Sequence, residues 1–232
     1  EEENVGKAVE SIRTLGLLGV NVTVPYKQTV LPYLDKIDPV AVKIGAVNTI
    51  VNNNGVLIGY NTDWLGFVNS LEEKVKIKDK KIVLVGAGGV ARAMIYGMKE
   101  RGGNITIINR TIEKAQALAV EFGCEFEAME TLARIKGDIL VNATCLGMSP
   151  EINKSIILQD RLSNFSVVFD TIYNPLKTKL LREAEAEGLL IVPGLKMLIY
   201  QGAAAFRLWL NQEPDIVLMT KVAERWLKEK YA

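Results

Sequence analysis

An α/β fold of two domains is what this sequence predicts, on three observations. From residue 82 onward, continuous apolar runs alternate with helix-spaced segments, the pattern of a parallel sheet covered on both faces. A Gly-x-Gly-x-x-Ala pattern, Gly86 to Ala91, follows the first of those runs and opens a helix. Before residue 66 the character differs, with short β-branched runs and an Asn-Gly turn.

The elements follow in chain order. Val5, Val9, Ile12 and Leu15 have helical spacing and end at Gly16, so residues 4–16 form an amphipathic helix. Residues 20–24 are a β-branched run stopped by Pro25, which predicts a strand. Residues 29–34 read as helical. Residues 46–51 and 56–60 are strand-like and flank Asn54-Gly55, a hairpin turn. Residues 64–71 read as a helix, and the charge-rich stretch 72–81 as a solvated linker or helix end. Residues 82–85 are an apolar strand, followed by a helix through Lys99. Strands at 105–108, 139–141, 167–169 and 190–192 and helices at 112–122 and 177–187 continue the alternation. Helices at 197–210 and 216–230 close the chain.

Composition narrows the function. The chain has 232 residues, 49% of them hydrophobic and 24% charged, with a formal net charge of +1. That is too apolar for a disordered chain, and no apolar run approaches the ~20 residues that span a bilayer. No leader pattern is visible at the start. The near-zero net charge argues against a nucleic-acid surface. Histidine is absent, which removes Ser-His and Cys-His nucleophiles and His-ligated metal sites. Cys124 and Cys145 fit no metal spacing, and both read as small buried hydrophobes of a reducing cytoplasm. No metal is expected. The chain opens Glu1-Glu2-Glu3-Asn4 without Met, so the expectation is a start just before a helix, with an upstream part missing.

The glycine pattern carries the first chemistry. Gly86 permits a tight turn, Gly88 lets backbone approach a pyrophosphate, and small Ala91 lets the helix pack on the sheet. The helix N-terminus then offers unpaired N–H groups to phosphates. A purely structural glycine turn is the alternative. The second strand of such a site holds an acid when the cofactor is NAD. Here it ends Asn109-Arg110-Thr111, with Lys114 one turn on and no carboxylate at the tip. Cations and a hydroxyl suit a 2′-phosphate, which points to NADP rather than NAD.

Lys27 and Asp63 each follow a predicted strand, where α/β proteins place ligands. Hydride transfer to a ketone needs a proton donor near the new alkoxide. Without histidine, a lysine oriented by an aspartate is the natural candidate. Spacing alone favours an ordinary surface pair.

Several segments, in order, resemble the shikimate dehydrogenase family. Asn21-Val22-Thr23-Val24-Pro25-Tyr26-Lys27, Gly45-Ala46-Val47-Asn48-Thr49 and Gly59-Tyr60-Asn61-Thr62-Asp63 are similar to its signatures. So are the glycine loop, Asn109-Arg110-Thr111, Asn142-Ala143-Thr144, Asp170-Thr171-Ile172-Tyr173-Asn174-Pro175, and Gly194-Leu195 with Met197-Leu198 and Gln201. The resemblance implies NADPH-dependent, reversible reduction of 3-dehydroshikimate to shikimate in aromatic amino-acid biosynthesis. It implies a Rossmann-like parallel-sheet NADP domain, residues 67–196, and a smaller α/β substrate domain, residues 1–66. Residues 197–232 would pack back on the substrate domain.

The resemblance implies Lys27 and Asp63 as the catalytic pair. Thr23, Asn48, Tyr173 and Gln201 join them as substrate contacts. Gly86, Ala87, Gly88, Gly89, Val90, Asn109, Arg110, Thr111, Lys114, Thr144, Ile172, Gly194 and Met197 are the implied cofactor contacts; Met197 is otherwise a core residue. The implied partners are small molecules, with no nucleic acid and no membrane, for a cytoplasmic monomer or homodimer.

Three departures stand out. Lys114 replaces a common Arg, so a 2′-phosphate leans on Arg110. Trp64 replaces a usual Gly, and either narrows the cleft or packs under the interdomain helix. In the family a strand, a serine pair that holds the shikimate carboxylate, a helix and another strand precede the point where this chain begins, so the expectation is an N-terminally incomplete substrate domain. Two alternatives stay open: an enzyme of relaxed specificity that also takes quinate, and an NADP-binding chain without turnover. The glycine loop with Asn-Arg-Thr also suggests a glutamyl-tRNA reductase-like chain, but that chemistry uses Cys with a nearby His, and His is absent.

Overall fold

The computed structural model describes residues 2–231, and its strands form two separate sheets. In the first, helix α1 (Val5–Thr14) buries Val5, Val9 and Ile12 in a core shared with Ile50 and Leu57. Strands β1 (Gly19–Asn21) and β2 (Lys36–Ile37), helix α2 (Pro39–Ile44), and strands β3 (Thr49–Asn53) and β4 (Val56–Tyr60) follow. The sheet order is β1-β3-β4-β2. Helix α2 begins with Pro39 at its first position, and the Asp38 carboxylate accepts the Val40 N–H at 2.9 Å, which satisfies an otherwise orphaned donor. The β3–β4 hairpin turns on Asn54 and Gly55 at φ 51° and 90°, as a type I′ turn demands.

Helix α3 (Asp63–Glu72) leads to the second sheet. It consists of β5 (Lys81–Val85), α4 (Gly89–Glu100), β6 (Asn104–Asn109), α5 (Ile112–Phe122), β7 (Glu125–Ala128), β8 (Ile139–Asn142), β9 (Val167–Asp170), α6 (Lys179–Ala186) and β10 (Leu190–Val192). All its pairings are parallel, in the order β10-β9-β8-β5-β6-β7. Successive β5 residues enter opposite cores. Ile82 and Leu84 join Phe67, Met94 and Phe169 on one face, while Val83 and Val85 join Leu140, Val168 and Leu181 on the other. That is why residues 82–85 of this strand are all apolar. The order reverses between β8 and β5, and a crevice opens at their C-terminal ends, where ligands bind in such sheets.

Helices α7 (Gly194–Leu210) and α8 (Ile216–Tyr231) end the chain. Helix α7 packs along α3. Gly66 permits the close approach, since a Cβ there would lie 2.6 Å from the Met197 carbonyl oxygen. At the far end of α7, the Trp209 indole N–H donates to the Ile50 carbonyl at 2.9 Å, in the first sheet. A second tie joins the sheets. Arg92 of α4 donates to the Ile44 carbonyl at 2.6 Å and forms a fork with Glu121. Its guanidinium also lies 5.3 Å from the Phe122 ring centre.

Several local expectations are corrected. Residues 20–24 leave the ladder after Asn21, because the chain turns where Tyr26 N–H bonds the Thr23 carbonyl at 2.9 Å and Pro25 has no ladder donor. Residues 29–34 hold only a short 3-10 turn, Leu31–Tyr33, which ends where Leu34 turns to extended backbone at ψ 142°. Cys145 is exposed, and Cys124 is half-buried, with burial pushing its thiol pKa up. Strand β7, Glu-Phe-Glu-Ala, was not expected, because an edge strand needs no apolar run. Helix α2 and strand β2 were not expected either, at six and two residues. Among the described residues, no helix is long and apolar enough to cross a membrane.

Candidate active site

The chain brings Lys27 to the mouth of the crevice through backbone bonds. The Lys27 carbonyl accepts the Val47 N–H at 2.8 Å, and the Val22 N–H reaches the Asn48 carbonyl at 2.8 Å. The 22–27 loop is thereby fixed to the residues entering β3. Asp63 occupies the first turn of α3, the helix end that suits an anion. Its N–H is held by the Asn61 side chain at 3.0 Å, and Asn61 is itself anchored to the Ala46 carbonyl.

These two tethers meet. The Lys27 ammonium donates to Asp63 Oδ2 at 2.6 Å, with the side chains only 12% and 7% exposed. Asp63 Oδ1 accepts the Asn48 amide N–H at 2.8 Å. The same amide also reaches Thr62 Oγ1 at 3.0 Å and Gln201 Oε1 at 3.3 Å. The Asn48 oxygen takes the Thr62 N–H at 2.7 Å. The carboxylate therefore has fixed partners on both oxygens, and Asp63 is the ammonium's one ion-pair partner among the described residues, which leaves further N–H donors for a ligand.

A cavity of about 320 Å³ opens beside the pair. Its lining includes Thr23, Lys27, Asn48, Asp63, Tyr173 and Gln201, together with Val90, Gly194 and Met197. Sequence reasoning did not single out four of its other wall residues: Asn21, Val22, Thr171 and Leu198. Asn21 is a polar residue of the Asn-Val-Thr run, and that signal was available. Lys27 is the one cation and Asp63 the one carboxylate among the described lining residues. Trp64 lies outside it and packs edge-on against Tyr96, ring centres 5.4 Å apart, under α3 and α4.

A second cavity of about 520 Å³ adjoins the first through Val90, Thr171 and Tyr173. Gly88, Gly89, Thr144 and Ile172 line it, with Val24, Met148 and Trp226 on its other walls. Its floor suits a dinucleotide's phosphates. No side chain caps the N-terminus of α4, so its first N–H groups are available to an anion. A Cβ on Gly88 would meet nothing within 4 Å, which is the open space a ligand needs. Gly86 has φ 119° and touches the Ala143 backbone, so it shapes the turn, as its place in the pattern predicts. On Gly89 a Cβ would lie 3.9 Å from Lys27 Cδ, so the lysine stem crosses the glycine loop.

Ala87, Asn109, Arg110, Thr111 and Lys114 line neither cavity. Arg110, Thr111 and Lys114 are exposed beyond β6, whose end lies beside that of β5. The Asn109 amide closes this turn on the Thr111 carbonyl at 2.9 Å. Thr144 is aimed by Asn142, whose Oδ1 accepts its N–H at 3.0 Å and its hydroxyl at 2.7 Å. Met197 both lines the first cavity and joins the core. Gly194 is required sterically, since a Cβ would sit 2.2 Å from the Thr171 carbonyl oxygen. Gly194→Ala is expected to lower stability by about 2 kcal/mol or more, read as a drop in the urea midpoint. An unchanged midpoint would show that this backbone gives way freely.

Three family models match separate stretches of the chain. A model of the shikimate dehydrogenase substrate-binding domain matches residues 1–50. A shikimate/quinate 5-dehydrogenase model matches residues 69–172, and a shikimate 5′-dehydrogenase C-terminal domain model matches residues 194–224. A shikimate dehydrogenase (NADP(+)) of Geobacillus kaustophilus (strain HTA426) is 44% identical over 230 residues, covering 96% of this chain and 83% of the relative. One from Methanocaldococcus jannaschii is 45% identical over 228 residues, covering 94% and 80%. The crystal structure of shikimate 5-dehydrogenase from Thermus thermophilus, in complex with NADP(H) and shikimate, superposes with a TM-score of 0.89. It is 38% identical, and the match covers 96% of this chain and 84% of that one.

Proposed function

The chain belongs to the shikimate dehydrogenase family, and from that premise we propose that it reversibly reduces 3-dehydroshikimate to shikimate with NADPH, a step of aromatic amino-acid biosynthesis. The observation that carries this reading is the buried Lys27–Asp63 pair beside a cavity that adjoins the glycine loop. The bound cofactor supplies the hydride. Lys27 gives its proton to the oxygen of the reduced ketone and recovers it in the reverse direction. Asp63 compensates the ammonium and holds it in place. Asn48 fixes Asp63 through its second oxygen.

Thr23, Asn48, Tyr173 and Gln201 bind the substrate's hydroxyl groups. Such polar groups discriminate strongly, because an analogue without its hydroxyl leaves them unpaired. The glycine loop, residues 86–90, takes the pyrophosphate. Thr144, Ile172, Gly194 and Met197 take the nicotinamide end, and Asn109, Arg110, Thr111 and Lys114 the adenosine 2′-phosphate. We divide the chain into a substrate domain, residues 1–66, an NADP domain, residues 67–196, and C-terminal helices that return to the former. We place the activity in the cytoplasm, in a monomer or homodimer.

The test is the rate of reduced-nicotinamide formation from shikimate with NADP against NAD, and from quinate in parallel. Turnover that favours NADP and shikimate supports the proposal. Equal rates on quinate make this an enzyme of broader specificity, a reading that the shikimate/quinate model match also favours. NADP binding without turnover on either substrate makes it a binding chain.

A further inference from the structure

Asp170 ends β9 with no exposed surface, and nothing in the mechanism above uses it. Three donors converge on its carboxylate. The Thr178 hydroxyl donates to Oδ2 at 2.7 Å, while the Asn142 amide and the Ile172 N–H donate to Oδ1 at 3.0 and 3.1 Å. Each donor belongs to a different segment. Asn142 ends β8 and, through its other atom, holds Thr144. Ile172 opens the loop that carries Tyr173, and Thr178 caps α6 by accepting the Leu181 N–H at 3.3 Å. Thr144 and Ile172 line the glycine-loop cavity, and Tyr173 lines both cavities.

We propose that Asp170 is a positioning residue, whose carboxylate sets Thr144 and the Ile172–Tyr173 loop against the nicotinamide end of NADP(H). The inference rests on reading that cavity as the NADP(H) site. The ionised carboxylate holds all three donors through charge-assisted bonds, whereas the protonated acid keeps Asn142 and Ile172 only through weaker neutral bonds and must turn the Thr178 hydroxyl from donor to acceptor. Burial raises the carboxyl pKa to about 6, against the pull of the three hydrogen bonds. Among the described residues it has no ion-pair partner, and no charged group contributes to its shift. Strands β8 and β9 bring Asn142 and a backbone N–H, and on the α6 side Lys177 and Lys179 pair with Glu185 and Glu183. The positioning is therefore strongest above about pH 7 and weakens as pH falls through 6. The chain has no histidine, so this window is otherwise sparsely populated by titrating groups.

The experiment is calorimetric titration of NADP+ into the wild-type protein and Asp170→Asn between pH 5 and 8.5. Asparagine keeps the shape and stands in for the protonated acid. The nucleotide's own 2′-phosphate titrates in the same range, and the ratio of the two Kd values cancels it. The ratio is expected to be about tenfold at pH 8, the effect of one charge-assisted hydrogen bond, and to approach one at pH 5. A purely structural role would shift the ratio equally at all pH values.

A ratio of one at pH 8, or a ratio that ignores pH, overturns the inference and leaves the cofactor reading intact. If the variant does not fold, the wild-type protein with NAD+ decides. NAD+ lacks the titrating phosphate, so its Kd should rise about tenfold from pH 7.5 to 5, and a flat profile overturns the inference. NADP+ that binds the wild-type protein at no pH overturns the cofactor reading and this inference with it.

Discussion

Alanine at position 27 is expected to lower kcat for shikimate oxidation by about 10²–10⁴-fold, the usual loss when a general acid is removed. The substrate KM should change little. Lys27 is the only cation among the described residues lining the substrate cavity, and the chain has no histidine to take its place. Lys27→Arg should not rescue the rate, because a guanidinium does not give up its proton in proteins. Steady-state rates with saturating NADP check both variants. A kcat near the wild-type value in Lys27→Ala would remove this side chain from the acid–base role.

Arg110→Ala is expected to weaken NADP binding by about 10–100-fold, the effect of a lost charge-assisted pair, and to leave NAD nearly unchanged. Arg110 is exposed beyond β6, and no acidic side chain stands at the tip of that strand. A planar fork matches a phosphate in a way that Lys114, a single point charge, does not. Lys114→Ala should therefore have the smaller effect. Calorimetry with both nucleotides decides it. Equal losses for NADP and NAD would refute the 2′-phosphate assignment.

Much of the parallel-sheet half was readable from residue type alone. Residues 82–85 of strand β5 are buried on both faces, so they had to be apolar, and the glycines after them announce the turn. Strand β7 escaped because one face of an edge strand can be acidic and still pair. Helix α2 escaped because six residues hold too little periodicity to register. In the site, Lys27 and Asp63 could be named, but 36 residues of sequence separate them, and only the fold shows their contact. Asn48 was legible as a polar wall residue but not as the group that holds the second carboxylate oxygen. Asp170 was legible only as a letter in a motif. Its burial could not be read locally, because Asn142 lies 28 residues before it and Thr178 eight residues after it, and only the fold brings both to the carboxylate.

Helix α7 turns sequence spacing into distance. Gly194, Met197 and Gln201 all line the cavity beside the Lys27–Asp63 pair, and Gln201 touches the Asn48–Thr62 network. Met197 and Gln201 are four residues apart, about 6 Å along one rigid rod. The spacing of these two wall residues is thus gauged by a single helical turn. The rod's far end is pinned to the substrate sheet by Trp209. One extra residue between Met197 and Gln201 would rotate everything beyond it by about 100°. This stretch can therefore change its side chains far more easily than its length.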